Sequence, residues 1–428
     1  MLKTNISDYS FTMEITVIGL GKLGLPLAAL FANSGHKVRG FDSSNKLRES
    51  LSTGRFQSNE PRLNELLTSA KSNLKICESI VEAVHGSEAV FVIVPTPSLP
   101  SGHFSNEYVL SIIESMGPAL IMTKNKIVID IVSTVMPGSC TGPIWDALEK
   151  SSNSKIGEKV GLCYNPEFIA LGSVINDMQY PDMHLLGESH NWAGDVIESA
   201  LTSVVKKQVP CQRMNLTEAE LVKIAINNFV TMKISYANGL YQAADRIKGI
   251  DIDRVTNAIG LDSRIGNKYL KGAAPYGGPC FPRDTRALAA LYSELGISQA
   301  LPVATEQVNY SHVEFIKNYV VRNIRESKKV GVVGISYKPG TPVIEESPGV
   351  AIVNSLIDQG LDVATWDDEG AVVSTTNSTK AKTQSSLEML LANVDFVVVT
   401  RPLDGAAQIL KTISESGKPW LDLWRQKY

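Results

Sequence analysis

The sequence has no apolar run of about 18 or more residues, the length a helix needs to cross a bilayer. Nor does one sign of charge prevail. Its 41 Lys and Arg face 44 Asp and Glu, a formal net charge of -3, which argues against nucleic acid or an anionic membrane as the main partner. Cysteine is scarce and scattered. Cys77, Cys140, Cys163, Cys211 and Cys280 form an odd, widely spaced set with no CxxC and no His/Cys cluster. That pattern argues against a disulfide framework and a metal site, and fits a reducing cytoplasm. The first twelve residues, MLKTNISDYSFT, are polar, lack the apolar centre of a secretory signal, and read as a tail before a fold beginning at Met13. Low-complexity segments and short-period repeats are missing too. With 428 residues, 43% of them hydrophobic, the chain has material for two or three domains.

What is present is alternation. MEITVIGLGKLGLPLAALFANSGHKVRGFD reads as strand, glycine turn, apolar helix and second strand, a β-α-β unit. Strand-like runs recur around Phe91–Val94, around Val128–Val132, and in KVGLCYNPEF, which describes a doubly wound domain over 13–205. From Asn215 to Lys248 there is no proline and the apolar residues fall at helical spacing, which predicts a helix of roughly 30 residues, about 45 Å. Thr217 with Glu220 is the expected capping box. Such a helix serves as a spacer and a dimer surface, or simply as core. Helical text continues to 326, and a second alternation from KKVGVVGISYKPG occupies 327–428. The expected fold is α/β: two Rossmann-like lobes joined by a central helical domain over 206–326.

Gly19, Gly21 and Gly24 follow a strand and open a helix. The first permits the turn, the second lets a pyrophosphate approach the backbone, and the third packs helix on strand, while the helix N-terminus supplies free N–H groups. Asp42, ending the next strand, is placed to bind ribose hydroxyls and select NAD. The second lobe has Gly331 and Gly334 but no third glycine in that spacing, so its ligand should differ; Lys338 is either a diphosphate contact or a solvated lysine. Thr96, Thr134 and Glu167 each stand at a carboxyl strand end, where open α/β sheets bind ligands. Lys223 and Asn227, at i and i+4, share a helix face and form a donor pair suited to an oxyanion. YGGPCFPRD, Tyr276 to Asp284, holds Cys280 between two prolines with an acid four residues on. A thiolate needs nearby positive charge or a helix terminus.

GLGKLG, VPTP, STVMPG, NPEF, the Lys223 helix, SRIG, GGPCFPRDTRAL and YKPGT with EESP occur in this order over almost the whole chain. Together they resemble the UDP-glucose/GDP-mannose dehydrogenase family. The resemblance implies oxidation of a nucleotide-sugar primary alcohol to the uronic acid with two NAD+. FPRD is closer to the UDP-sugar members, so the expected sugar is a UDP-hexose, with the choice among UDP-glucose, UDP-N-acetylhexosamines, UDP-galactose-type sugars and GDP-mannose left open. It implies Cys280 as nucleophile through a thiohemiacetal and a thioester, with Thr134 and Asp284 holding a water, Glu167 and Asp284 activating it, and Lys223 and Asn227 steadying the oxygen. Gly19, Gly21, Leu23, Gly24, Asp42, Thr96, Thr134 and Arg283 fall on the cofactor side. Phe168, Lys223, Asn227, Tyr269, Gly277 and Lys338 fall on the sugar-nucleotide side, with Gly278 and with Arg264 reaching from a neighbouring subunit. A homodimer or larger homo-oligomer in the cytoplasm is expected.

Three positions depart from the family pattern. Leu171 replaces a second glutamate after NPEF, Glu345 replaces an arginine before Glu-Ser-Pro, and Arg283 replaces a lysine beside Asp284, which keeps charge but changes geometry. Two rivals stay open: a two-electron hydroxyacid or polyol dehydrogenase, which needs no thiol, and a silent nucleotide-sugar binder.

Overall fold

The computed structural model describes residues 12–324, 328–371 and 381–427. The expected tail, apart from Thr12, and the expected 326/327 boundary lie outside the described residues. The chain forms two compact units divided between Lys223 and Ile224.

In the first unit eight strands form one sheet: β1 Glu14–Ile18, β2 Lys37–Phe41, β3 Leu74–Ile76, β4 Ala89–Val92, β5 Ile127–Ile131, β6 Val160–Tyr164, β7 His184–Glu188 and β8 Cys211–Met214. Their order is β3-β2-β1-β4-β5-β6-β7-β8. The first six are parallel, in the arrangement of a dinucleotide-binding sheet. Central parallel strands are covered on both faces, so they read as unbroken apolar runs; AVFV and VGLCY are buried throughout. One face packs Phe91 and Val128 against the helices Gly24–Asn33 and Asn191–Val204. The other packs Val90 and Ile129 against Glu107–Met122 and Pro143–Ser152. β7 runs antiparallel to β6 and carries β8 beside it, an extension the sequence reading did not contain. CQRM is short and half exposed, as an edge strand is, and so lacks the buried-run signal.

The predicted long helix spans Leu216–Arg246. Its cap differs from expectation. Asn215 and Glu218 form the reciprocal box, Glu218 N–H to Asn215 Oδ1 at 2.9 Å and Asn215 N–H to Glu218 Oε2 at 3.0 Å. Glu220, fully buried, instead accepts the N–H groups of Gly138 (2.6 Å) and Cys140 (2.7 Å), pinning the turn after STVMP. A tertiary demand outcompeted the local one.

The second unit joins the helices Ile252–Leu261, Phe281–Glu294 and Ala300–Asn323 to a five-stranded sheet. Its strands are β9 Lys329–Val333, β10 Asp362–Trp366, β11 Lys382–Thr383, β12 Phe396–Val399 and β13 Trp420–Asp422, all paired in parallel in the order β11-β10-β9-β12-β13. Counted from its own first strand, this repeats the first sheet. The turn after β9 repeats that after β1: Gly19 N–H donates to Phe41 O (2.8 Å), Gly334 N–H to Trp366 O (3.0 Å). A Cβ on Gly24 would run into the Gly19 carbonyl, and one on Gly349 would come within 2.8 Å of the Gly334 carbonyl. The third glycine absent from the expected spacing is therefore Gly349, displaced by the insertion 335–347 before the helix Pro348–Asp358.

One residue opposes the first core. Asp130 lies in the middle of β5, fully buried, in register with Phe91 and Cys163, and neither carboxyl oxygen has a hydrogen-bond partner. Desolvation, with Glu167 adding repulsion, holds its pKa well above the usual range. The native state therefore keeps a proton that the unfolded chain releases near pH 4, and stability is lost as pH rises from there toward the folded pKa. Asp130→Asn removes the titration. In urea unfolding between pH 4 and 8 its advantage over the wild-type chain grows with pH, by at most about 1.4 kcal/mol per unit; an advantage independent of pH contradicts this account.

Candidate active site

In the first unit, Gly19 has φ +92, and a side chain there would collide with the Ile93 carbonyl, so the tight turn requires glycine. Gly21 faces open space. Leu23 caps the following helix without any side-chain hydrogen bond, and the first turn carries no acid. Leu25 N–H donates to the Gly21 carbonyl at 3.2 Å and Pro26 has no N–H, so the Gly24 N–H and the positive end of the helix dipole are what the turn offers a phosphate. Asp42 accepts two N–H groups, Leu20 at 2.9 Å on Oδ2 and Ser44 at 2.8 Å on Oδ1. A carboxylate takes about four, so half of its capacity is left for a ribose diol. The turn fits NAD.

Beyond it, Thr96 donates to the Thr134 carbonyl at 2.6 Å, tying together the segments that follow β4 and β5. At the end of β6, the Lys223 ammonium donates to the Glu167 carbonyl at 2.6 Å and lies 4.5 Å from the Phe168 ring centroid. Glu167 is pushed up to about 7 by desolvation, with Lys223 pulling the other way. A carboxyl poised there exchanges protons at neutral pH, as general acid–base chemistry requires. Leu171, where the family pattern has an acid, packs against the apolar core. The loop around it is held by Glu60, whose carboxylate accepts Gly172 N–H (2.8 Å) and Val174 N–H (2.7 Å). Nothing in the sequence around Glu60 signalled that.

In the second unit, FPRD opens a helix. Phe281–Glu294 is a helix with proline in its first turn, and Cys280 is its N-cap residue, at the positive end of the helix dipole. Cys280 is also exposed, whereas Cys77, Cys140 and Cys163 are buried and Cys211 is half-buried. Asp284, fully buried, accepts Asn227 Nδ2 at 2.6 Å and Arg283 Nε at 2.9 Å, and its carbonyl takes Asn228 Nδ2 at 2.9 Å. Arg283, expected on the cofactor side, is here the counter-ion of Asp284. Tyr269, exposed with φ +61, sets its ring edge-on to Phe281 at 6.3 Å. Arg264 is exposed and pairs with Asp262 at 2.6 Å. Lys338 is half-buried on the loop after β9.

The glycine pair before the cysteine has a role the sequence reading missed. Gly277 and Gly278 admit the chain itself: a Cβ on Gly277 would strike the Glu346 carbonyl, and one on Gly278 would lie 2.5 Å from the Tyr337 ring. Glu346, beside Glu345, meets Arg286 at 3.0 Å.

The glycine turn, with Asp42 at the end of the next strand, defines a dinucleotide-binding protein, and an exposed cysteine caps a helix of the second unit. Comparison with known proteins narrows this. Models of three domains match: the NAD binding domain of the UDP-glucose/GDP-mannose dehydrogenase family over residues 13–205, its central domain over 217–311 and its UDP binding domain over 331–424. The chain belongs to this family of NAD-dependent nucleotide-sugar 6-dehydrogenases. It is 30% identical over 358 residues to the UDP-glucose 6-dehydrogenase AglM of Haloferax volcanii, covering 83% of each chain. It is 28% identical to the GDP-mannose 6-dehydrogenase of Pseudomonas savastanoi pv. phaseolicola, covering 96% of each. The structure of a UDP-glucose dehydrogenase from Pyrobaculum islandicum matches at TM-score 0.85 and 31% identity, covering 99% of this chain and 96% of that one. Among the described residues no helix is long and apolar enough to cross a membrane.

The Glu167 balance is testable. In a carbon-13 NMR titration of glutamate-labelled protein, Glu167 titrates near pH 7, and Lys223→Met, which removes the opposing cation, moves its midpoint upward. A midpoint that falls or stays put refutes the pairing.

Proposed function

We propose that the chain oxidises C6 of a UDP-hexose, UDP-glucose foremost, from primary alcohol to carboxylate, through covalent intermediates on Cys280. The observation that carries this reading is an exposed cysteine at a helix N-terminus with a buried, doubly bonded Asp284 one turn on. The UDP preference is supported by the third domain model and by two UDP-glucose relatives. The division into a tail (1–12), an NAD lobe (13–205), a central helical domain (206–326) and a nucleotide-sugar lobe (327–428) belongs to the same proposal.

NAD+, when bound, accepts one hydride from C6 in each of the two oxidations. The residues do the rest. A water held by Thr134 and Asp284 takes the hydroxyl proton in the first. The Cys280 thiolate then adds to the aldehyde carbon, forming a C–S bond. Its rigid N-cap position keeps the nucleophile in place, so that the aldehyde is captured before it escapes. Lys223 and Asn227 donate to the oxygen as negative charge gathers on it. After the second oxidation the carbon is a thioester. Water activated by Glu167 adds to it, the C–S bond breaks, and the thiolate leaves with the proton passing to solvent. Alcohol, two NAD+ and water give carboxylate, two NADH and three protons. With Leu171 in place of a second acid, hydrolysis falls to Glu167. Phe168, Tyr269, Gly277 and Lys338 hold the nucleotide sugar, with Arg264 donated by a neighbouring subunit. A homodimer or larger homo-oligomer in the cytoplasm completes the proposal; the exposed Phe229 and Tyr236 on the long helix support the assembly.

Counting NADH per sugar over UDP-glucose, UDP-N-acetylhexosamines, UDP-galactose-type sugars and GDP-mannose tests it. Two NADH per UDP-glucose is the expected result, and Cys280→Ala lowers that turnover by at least about a thousandfold, as losing a nucleophile does. One NADH per sugar with Cys280→Ala fully active favours the two-electron dehydrogenase. Tight UDP-sugar binding with no NADH favours the silent binder.

A further inference from the structure

Gly278, two residues before the thiol, is gripped from both sides by the loop after β9. Its N–H donates to the Glu346 carbonyl at 3.0 Å, while the Tyr337 ring covers its other flank. Gly277 lies against the same carbonyl, and a Cβ on it would come within 2.6 Å of Pro348. Glu346 aims that carbonyl from a left-handed backbone, φ +49, which a non-glycine residue adopts only at a cost. Its side chain holds it there. Glu346 Oε1 meets Arg286 Nη1 at 3.0 Å, and Arg286 is itself fixed by Glu306 (2.7 Å) and the Tyr310 hydroxyl (3.0 Å). Arg286 belongs to the helix that Cys280 caps. Glu346 therefore touches the cysteine segment twice, by its carbonyl ahead of the thiol and by its carboxylate behind it.

The loop is also closed on itself. Tyr337 N–H donates to Val343 O at 2.9 Å, and Ser347 Oγ to Ile335 O at 2.6 Å. Lys338 follows Tyr337 directly, Tyr337 is tied to Val343 three residues before Glu346, and both Tyr337 and Glu346 lie against Gly278. We propose that Glu346 is a positioning residue, coupling engagement of a nucleoside diphosphate at the Lys338 loop to the placement of the Cys280 thiol. This rests on the assignment of Lys338 to the nucleotide sugar. The physical consequence is that an empty nucleotide loop leaves the thiol less well placed, and a filled one sets it.

Iodoacetamide alkylation of Cys280 in the full-length protein reads the coupling, because the other four cysteines are buried or half-buried. Peptide mass spectrometry gives the rate with and without UDP, and calorimetry gives UDP binding. In the wild-type chain UDP changes the rate by at least about fivefold, the low end of site-to-site couplings. Glu346→Gly accepts the left-handed backbone but loses the ion pair, and Arg286→Met breaks the pair from the other side. In both, UDP still binds and its effect on alkylation falls below about twofold, which a general loosening of the fold does not predict; either variant alone carries the test if the other fails to fold. An undiminished UDP effect in the variants overturns the proposal. UDP binding with no change of rate in the wild type overturns it alone, whereas no UDP binding at all overturns the UDP assignment with it.

Discussion

Both sheets depend on a helix laid against the turn that precedes it with no Cβ between them. Gly24 meets the Gly19 carbonyl and Gly349 the Gly334 carbonyl at separations a side chain would forbid. That contact fixes where the helix N-terminus points, and therefore where a phosphate or a loop finds free N–H groups. In the first unit the helix starts at once, so the dipole end opens toward the Gly21 face. In the second, the insertion 335–347 intervenes, and the positions flanking the turn become a loop that carries Lys338 and grips Gly278. One packing constraint thus serves two purposes, according to how much chain separates turn from helix.

What could be read from the sequence follows from the range of the interactions involved. Parallel strands buried on both faces announce themselves as apolar runs, and β1, β4, β5 and β6 were legible for that reason, while β2, half exposed, was legible from its place after the glycine turn and helix. The long helix was legible from its period. Its cap was not, because Glu220 stands in a plausible local pattern yet serves Gly138 and Cys140, distant in sequence. Glu60, which secures the loop at Gly172 and Val174, is equally silent: it stands in a polar stretch with no pattern of its own. Gly277 and Gly278 were singled out, but the neighbour that demands them, Glu346, becomes visible only when the second sheet is in place. Short-range chemistry was readable; the partners that arrive from afar were not.

The candidate site shows the same division in its electrostatics. Glu167 and Asp284 are both carboxyls expected to handle protons, yet their settings differ. Asp284 is sealed in but receives Asn227 and Arg283, a donor and a cation. Glu167 is desolvated with only the nearby Lys223 opposing, and is pushed up to about 7. Of the two, only Glu167 is poised to exchange a proton near neutral pH, while Asp284 is a fixed acceptor for two donors.

The twin turns also explain why two lobes of one design take different ligands. Asp367 ends β10 as Asp42 ends β2, and Ser336 N–H reaches it at 2.8 Å as Leu20 N–H reaches Asp42. But Asp367 further accepts Glu369 N–H (2.9 Å), Ala371 N–H (3.4 Å) and the buried Arg401 (3.2 Å). Four donors fill a carboxylate's capacity, where Asp42 has two. Arg401 stands where the first lobe has Val94, and its stem covers the Gly334 turn, within 2.8 Å of where a Cβ would be. A ribose diol arriving there would have to displace an ion pair already stripped of water, which costs several kcal/mol. The second lobe keeps the shape of a dinucleotide site while its acid is spoken for.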